Sequence, residues 1–234
     1  MRFFGECTKL KKSLGSVLFS GYDQTKLGVD KGEATMRRSG KESYRALLAI
    51  AEQQQSLFTA KQAGEAGYSD ASRVYQVKSG NWIRKARGVY QLADYSNTER
   101  PDLVLWSLWS RGVDDVPQGV YSHQTALSIF DLADLQPAKL HLTVPRKFRR
   151  RSRIPDILVL HREDLPKPDV MEMEGYRVTR PLRAIDDLLR SGDVHPGVLR
   201  EALQEGMSTG LITIVEARSA SGAELLAQLE VDRP

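Results

Sequence analysis

The chain has 234 residues, of which 41% are hydrophobic, and a formal net charge of +4. This length and composition are sufficient for one large globular domain or two modest ones. The single cysteine, Cys7, excludes an internal disulfide framework and fits a reducing compartment; no apolar run approaches a membrane span, and the amino terminus lacks the apolar core of a signal peptide.

The charge is unevenly distributed along the chain. Residues 41–96 carry eight basic and five acidic side chains, whereas residues 154–234 carry nine basic and fifteen acidic ones. Between these regions, the segment PRKFRRRSR at residues 145–153 contains six basic side chains and no acid. The amino-terminal region is therefore the part that we expect to meet a polyanion.

Residues 1–40 lack sustained periodicity and contain many Gly, Ser and Lys residues, which predicts a weakly ordered extension. Met36 precedes RRSGKESYRALL, which is typical of a domain start. Residues 1–35 are therefore either a native extension or the result of an upstream start codon.

Residues 43–67 predict two short helices joined by an extended link. The first helix, SYRALLAIAEQQQ at residues 43–55, is capped by Ser43 and has one apolar face. After LFT at residues 57–59, Thr59 caps the second helix, which ends near Gly67.

A third helix and a hairpin follow in SDASRVYQVKSGNWIRKARGVYQL, residues 69–92. Ser69 or Asp70 caps the helix, and its apolar side chains at i, i+3 and i+6 predict a narrow buried stripe formed by Ala71, Val74 and Val77. A strand beginning at Trp82, a turn over residues 84–88 and a returning strand through residues 89–92 predict the hairpin.

Three helices followed by a two-stranded wing, predicted over residues 41–96, form the layout of a winged helix-turn-helix. In such domains the third helix enters the major groove and the wing contacts phosphates or the minor groove. Residues 73–87 contain five basic side chains and no acid, and Arg73 and Gln76 lie one turn apart, where they suit guanine and adenine edges. The predicted DNA-binding residues are Ser69, Ser72, Arg73, Tyr75, Gln76, Lys78, Arg84, Lys85 and Arg87. The alternative is a winged helix that serves as a protein docking module.

Residues 97–234 predict a mixed α/β domain with a helical tail, so the whole chain is assigned to the α+β class. Helices are expected over residues 101–111, 122–132 and 181–192, with two or three more between about 196 and 230. Strands are expected over residues 139–145 and 154–161, together with a strand pair within residues 170–180 that turns at Gly175.

The sequence contains no recognisable catalytic motif. A Gly-rich phosphate loop, a GxSxG elbow and an HExxH site are all absent. The four histidines are scattered, which suggests no metal cluster, and no cofactor is expected. Asp156 after Pro155 hints at a restriction-nuclease carboxylate, but the lysine spacing that this pattern requires fails at Lys167. We therefore expect no enzymatic activity.

Four segments in this order resemble the AbiEi family, the antitoxins of AbiE-type (type IV) toxin–antitoxin systems. The segments are LFTAKQAGEAGYSDASRVYQVKSGNWIRKARGVYQL, GVYSHQTALSIFDL, KLHLTVPRKFRRRSR and GYRVTRPLRAIDDLL, within residues 42–190. The last segment carries a motif of four spaced residues, Thr179, Pro181, Arg183 and Asp187.

The resemblance implies a bacterial cytoplasmic protein with two functions. Its winged helix would bind inverted repeats in the double-stranded DNA upstream of its own operon and repress that operon. Its carboxy-terminal domain would counteract a toxin that resembles a nucleotidyltransferase, without necessarily forming a stable complex with it. The alternative is a stand-alone winged-helix regulator whose carboxy-terminal domain senses a small ligand or a protein.

The basic run at residues 145–153 is expected to remain exposed, because burying six charges would be prohibitive. It could extend the DNA contact, bind RNA, meet an acidic toxin surface or simply be a solvated loop. Its candidate contact residues are Arg146, Lys147, Arg149, Arg150, Arg151 and Arg153.

Overall fold

The computed structural model of the protein describes residues 39–94, 100–150 and 153–229. The extension expected over residues 1–40 therefore lies outside the described residues, apart from Ser39 and Gly40, and so does Arg151.

The amino-terminal part has the elements of a winged helix. In chain order they are α1 (Gly40–Glu52), β1 (Leu57–Thr59), α2 (Ala60–Glu65), α3 (Asp70–Lys78), β2 (Trp82–Ala86) and β3 (Val89–Leu92). The three strands form an antiparallel sheet in the order β1-β3-β2. The α+β class and the winged helix-turn-helix are therefore confirmed.

The helix caps agree with the sequence at α2 and differ at α1. Thr59 caps α2 as predicted and accepts a hydrogen bond from the Gln62 backbone N–H at 3.1 Å. The prediction that Ser43 caps the first helix is wrong, because α1 begins three residues earlier. There Ser39 and Glu42 form a reciprocal capping box, and Ser43 is buried inside the helix.

Trp82 is the central aromatic residue of the winged-helix core. Its ring packs edge-on against Phe58 of β1, with centroids 4.7 Å apart, and against Tyr68 in the turn before α3, at 4.8 Å. Leu47 of α1 and Ala63 of α2 complete this fully buried layer. The start of the wing is therefore fixed directly beneath the helix-turn-helix.

The carboxy-terminal part combines six helices and five strands among the described residues. They are α4 (Pro101–Trp109), β4 (Val120–Tyr121), α5 (His123–Ile129), β5 (Leu140–Val144), β6 (Leu158–Arg162), β7 (Val170–Met173), β8 (Tyr176–Thr179), α6 (Pro181–Ser191), α7 (Pro196–Ser208), α8 (Ile214–Ala217) and α9 (Ala220–Gln228). A 3-10 turn precedes β7 at Lys167–Asp169. The short strand β4 was not predicted, and β6 begins four residues later than expected.

The five strands form one mixed sheet in the order β6-β5-β4-β8-β7. Strand β5 runs parallel to β6 and antiparallel to β4, while β8 runs parallel to β4 and antiparallel to β7. Helices α5, α6 and α7 contribute to the large core with this sheet, and the fully buried side chains there include Leu127, Leu142, Val178, Ile185 and Leu199.

A smaller apolar cluster joins the winged helix to the carboxy-terminal part. Leu57 of β1 and Val89 of β3 are fully buried against Val104 and Leu108 of α4. The side of the winged-helix sheet that carries Leu57 and Val89 is therefore covered by α4.

Candidate nucleic-acid interface

Helix α3 exposes one continuous face to solvent. Ala71, Val74, Tyr75 and Lys78 are all exposed and follow the spacing i, i+3, i+4 and i+7, which places them on one side of a helix. Val74 is 55% exposed and Tyr75 is 66% exposed. In winged helix-turn-helix proteins, a recognition helix presents its solvent-exposed face to the major groove.

The predicted buried stripe on α3 is therefore wrong at two of its three positions. Only Val77 packs against the core, whereas Ala71 and Val74 lie on the solvent side. No residue of α3 is fully buried, and Val77 packs at the edge of the cluster that contains Trp82, Phe58 and Ala63. The apolar spacing on this helix consequently marks its outer surface.

Arg73 lies on the opposite side of α3. Its side chain is 18% exposed, and its Nη1 atom donates a hydrogen bond to the Tyr68 carbonyl oxygen at 3.3 Å. Its Nη2 atom pairs with the Asp70 carboxylate. A Cβ atom at Gly64 on α2 would lie 4.0 Å from Arg73 Nη1. Arg73 therefore braces the turn between α2 and α3.

Gln76, the other predicted base-reading residue, also has a partner within the protein. Its Oε1 atom accepts a hydrogen bond from Asn81 Nδ2 at 2.7 Å, just beyond the end of the helix. Arg73 and Gln76 are both half-buried, unlike the exposed Val74 and Tyr75 between them. The geometry thus departs from the expected pairing of Arg73 and Gln76 with base edges.

The two predicted serine contacts lie at the first turn of α3. Ser69 is the N-cap and accepts a hydrogen bond from the Ser72 backbone N–H at 3.2 Å, while the Ser72 hydroxyl donates to the Ser69 carbonyl oxygen at 2.9 Å. Ser69 is exposed and Ser72 is half-buried. Both hydroxyls consequently lie at the positive end of the helix macrodipole, where phosphate oxygens bind favourably.

The wing has a tighter turn than its sequence suggested. Arg84 and Lys85 belong to β2 instead of the turn, which consists of Arg87 and Gly88. The register shifts between Arg84 and Ala86, so Lys85 is the extra residue of a β-bulge. Arg84, Lys85 and Arg87 are all exposed and give the wing a cationic surface.

Arg111 fixes the wing turn to the carboxy-terminal part. Its Nη2 atom donates to the Gly88 carbonyl oxygen at 3.1 Å, and its Nε atom pairs with Asp115 Oδ1 at 2.8 Å. Asp115 also accepts a hydrogen bond from the Thr59 hydroxyl at 2.6 Å. The Arg111–Asp115 pair therefore holds both the end of strand β1 and the turn of the wing.

Part of the basic run lies beside the wing. An open cleft of about 880 Å³ is lined by cationic residues from three separate segments, namely Arg87, Arg111, Lys147, Arg149 and Arg150. Within the described part of the chain, no carboxylate lines this cleft. Arg150 lies 5.0 Å from the Trp109 ring centroid, and burial together with the charges of Arg111 and Arg87 lowers its pKa.

The other described residues of the run point elsewhere. Phe148 is buried beside Trp109, with ring centroids 6.3 Å apart, and anchors the loop. Arg146 is exposed, and Arg153 pairs with Asp156 at 3.0 Å. Arg146 and Arg153 thus lie outside the lining of the cleft.

Three of the four histidines meet in the carboxy-terminal part, although they are scattered in the sequence. The rings of His123 and His161 are stacked with centroids 3.6 Å apart, and His141 Nδ1 lies 3.0 Å from His161 Nε2. Parallel β5 and β6 bring His141 and His161 together, and His123 begins the adjoining α5. No group of three potential metal ligands is arranged around a metal position among the described residues.

Burial and mutual proximity keep this histidine cluster neutral. Burial, followed by the charges of His161 and His141, lowers the pKa of His123 to about 3. Burial also lowers the pKa values of His141 and His161. The Ser122 hydroxyl lies 2.9 Å from His123 Nδ1, so the cluster is connected to the start of α5.

The spaced motif that ends at Asp187 forms an ion-pair network. Arg183 pairs with Asp187 at 2.8 Å, with Asp169 at 3.0 Å and with Glu163 at 2.7 Å. Burial of Asp187 raises the pKa of its carboxyl group to about 6 in spite of the neighbouring guanidinium. The motif therefore joins α6 to the segments before β7 and after β6, which is a structural role.

Residues 45–93, which span most of the winged helix, match the family model described as a transcriptional regulator, AbiEi antitoxin. This segment is similar to the AbiEi antitoxin family over about a fifth of the chain. The match confirms the resemblance for the first of the four segments noted in the sequence, and the family is described as a transcriptional regulator. Its match ends at residue 93 and does not include the histidine cluster or the motif of Arg183 and Asp187.

Comparison with solved structures gives a match to the RV2827C protein from Mycobacterium tuberculosis. The two chains are 13% identical, with a TM-score of 0.45, over 85% of this chain and 74% of that one. No curated protein matches the sequence. Among the described residues, no helix is long and apolar enough to cross a membrane.

Proposed function

We propose that this protein is a DNA-binding antitoxin that represses its own toxin–antitoxin operon and counteracts a nucleotidyltransferase-like toxin. The observation that carries the proposal is the exposed face of α3 beside the cationic wing, within a segment that matches AbiEi regulators. In this proposal the protein acts in the cytoplasm, binds inverted repeats, and has no catalytic activity or cofactor of its own.

The geometry supports revised roles for the predicted DNA-binding residues. Tyr75 and Lys78 remain on the face offered to the groove, and Ser69 and Ser72 remain suited to a phosphate. Arg84, Lys85 and Arg87 supply salt-sensitive contacts from the wing. Arg73 and Gln76 act indirectly in this scheme, by holding α3 in place.

The cleft beside the wing supports an extension of the DNA contact onto the carboxy-terminal part. Lys147, Arg149 and Arg150 lie near Arg87 without an intervening carboxylate in the described lining, so a phosphate chain that leaves the wing meets further positive charge. This favours DNA over an acidic toxin surface for these three residues. Arg146 and Arg153, which do not line the cleft, remain candidates for the toxin or for RNA.

DNA binding is tested by titrating the duplex upstream of the gene against a scrambled duplex at several salt concentrations. The variant Arg84→Ala with Lys85→Ala should weaken both complexes, whereas Lys167→Ala with Arg190→Ala removes the same charge from the acidic part and should leave both unchanged. Equal affinity of the wild-type protein for the two duplexes would contradict operator recognition.

The antitoxin role is tested by co-expression with a neighbouring nucleotidyltransferase-like reading frame. Growth of toxin-arrested cells should recover with the wild-type chain and also with the wing variant, because neutralisation is assigned to the carboxy-terminal part. Failure of both proteins to restore growth would contradict this role.

A second candidate function is a stand-alone regulator with a sensing domain. It is supported by a cavity of about 530 Å³ beside the mixed sheet, lined by residues that include Val120, Thr143, Glu163, Val170 and Arg177. This volume is within the usual range for small-molecule sites. The absence of a toxin-like neighbouring frame, together with a ligand that changes operator affinity, would favour this candidate.

A further inference from the structure

Two of the four residues on the exposed face of α3 lack any hydrogen-bonding group in their side chains. Ala71 and Val74 carry only hydrocarbon side chains, and Val74 leaves 55% of its surface in water. The two side chains best suited to hydrogen-bonding base edges, Arg73 and Gln76, already have partners within the protein. Ala71 and Val74 can therefore contact bases only through apolar surface, whereas the polar groups of this face belong to Tyr75 and Lys78.

The major groove offers one apolar feature, the 5-methyl group of thymine, which small hydrocarbon side chains contact directly. We propose that α3 selects thymines in the operator by packing Val74 and Ala71 against their 5-methyl groups. Tyr75 and Lys78 then contact the flanking DNA backbone. Arg73 is a positioning residue that fixes how deeply α3 enters the groove. This inference rests on the proposed DNA-binding function and deepens it by naming what is read.

The charges around the face favour DNA as its occupant. Lys78 lies at the end of the same exposed face, and Arg84, Lys85 and Arg87 are exposed on the wing that follows α3. A second copy of this chain would place these cations against identical cations, whereas a duplex supplies phosphates to each of them. The alternative that the experiment must distinguish is self-association of two copies through Val74 and Tyr75.

The probe is the operator duplex in which deoxyuridine replaces every thymine of the segment that the protein protects in a footprinting experiment. Deoxyuridine retains all the hydrogen-bonding groups of thymine and lacks only the methyl group, so the two duplexes differ in apolar surface alone. Each contacted methyl group should contribute about a fourfold difference in affinity, from the usual free energy of burying one such group. Two contacts in a half-site would give about fifteenfold.

The variant Val74→Ala should weaken binding to the thymine duplex and bring the ratio between the two duplexes towards one. Its matched control is Val215→Ala, since Val215 is 80% exposed on the distant helix α8 and its truncation should leave the ratio unchanged. Sedimentation of both variants in parallel reports the oligomeric state.

The outcomes separate this inference from the proposed function. If the wild-type protein binds the thymine and deoxyuridine duplexes with equal affinity, recognition of methyl groups is overturned, and operator recognition is unaffected. No binding of the wild-type protein to either duplex would overturn both. A loss of self-association in Val74→Ala with an unchanged ratio would assign the face to a second copy of the chain.

Discussion

The histidine cluster predicts that the folded protein loses stability as the pH falls below about 6.5. Burial lowers the pKa of His123 from 6.5 to about 3, so the unfolded chain binds a proton that the folded chain excludes. A group of this kind contributes its full stability above the unfolded value and loses it as the pH falls towards the folded one.

The magnitude follows from the linkage relation. Each pH unit well below 6.5 is worth about 1.4 kcal/mol per excluded proton, and less near 6.5, where the unfolded histidine is half protonated. Lowering the pH from 6.5 to 5 therefore costs about 1.5 kcal/mol through His123 alone. The lowered pKa values of His141 and His161 act in the same direction. Asp193 opposes the effect by raising the pKa of each histidine, while Arg183 adds to it at His123.

Asp187 contributes with the opposite sign and has to be separated from the histidines. Burial raises its pKa from 3.8 to about 6, so below that pH its protonation favours the folded state. A variant therefore isolates the histidine effect better than the wild-type curve alone. His123→Asn is suitable because His123 has a φ of 54°, a left-handed conformation that asparagine tolerates well.

The assay is urea unfolding at a series of pH values between 5 and 7.5. The free energy of unfolding should rise with pH in the wild-type protein, and the slope should be smaller in His123→Asn. An unchanged slope in the variant would refute the neutral buried cluster.

Three further predictions concern basic side chains. Arg84→Ala with Lys85→Ala should reduce the magnitude of the slope of log affinity against log salt by about 1.8 if both residues contact phosphates, and an unchanged slope in the titration would remove these contacts. Arg73→Ala should lower the thermal midpoint and weaken all DNA sequences alike; a change confined to one base position, seen by competition binding, would instead restore its role as a base reader. Arg183→Met should destabilise the protein by about 3 kcal/mol or more in urea unfolding, because it leaves Asp187 buried without its partner, and Arg190→Met is the exposed control on the same helix.

Local signals in the sequence were sufficient for most of the secondary structure. Thr59 with Gln62 and Pro181 mark helix starts through local contacts alone, and Gly175 turns the strand pair with a φ of 84°. Ser43 misled because Ser39 offers an equivalent cap one turn earlier, with Glu42 to complete the capping box. Strand β4 was missed because a two-residue strand carries no periodic signal.

The interface was harder to predict than the fold, because exposure depends on what lies beneath a helix. The spacing of Ala71, Val74 and Val77 is that of a buried stripe, yet only Val77 packs against the cluster that contains Trp82. The sequence predicted Arg73 to be a base contact. It could not show the hydrogen bond from Arg73 to the Tyr68 carbonyl oxygen, because that bond depends on the geometry of the turn before α3. The meeting of His123, His141 and His161 likewise follows from strand pairing, which their spacing in the sequence does not reveal.

The apolar cluster beneath the wing has a practical consequence for dissecting the protein. A fragment that ends soon after Leu92 would leave Leu57 and Val89 without the Val104 and Leu108 side chains that shield them from water. It would also lose Arg111, and with it the support for the Gly88 carbonyl at the wing turn. Such a truncated winged helix should aggregate through its exposed apolar surface and bind DNA weakly. Any minimal DNA-binding fragment should therefore extend through α4 to Asp115.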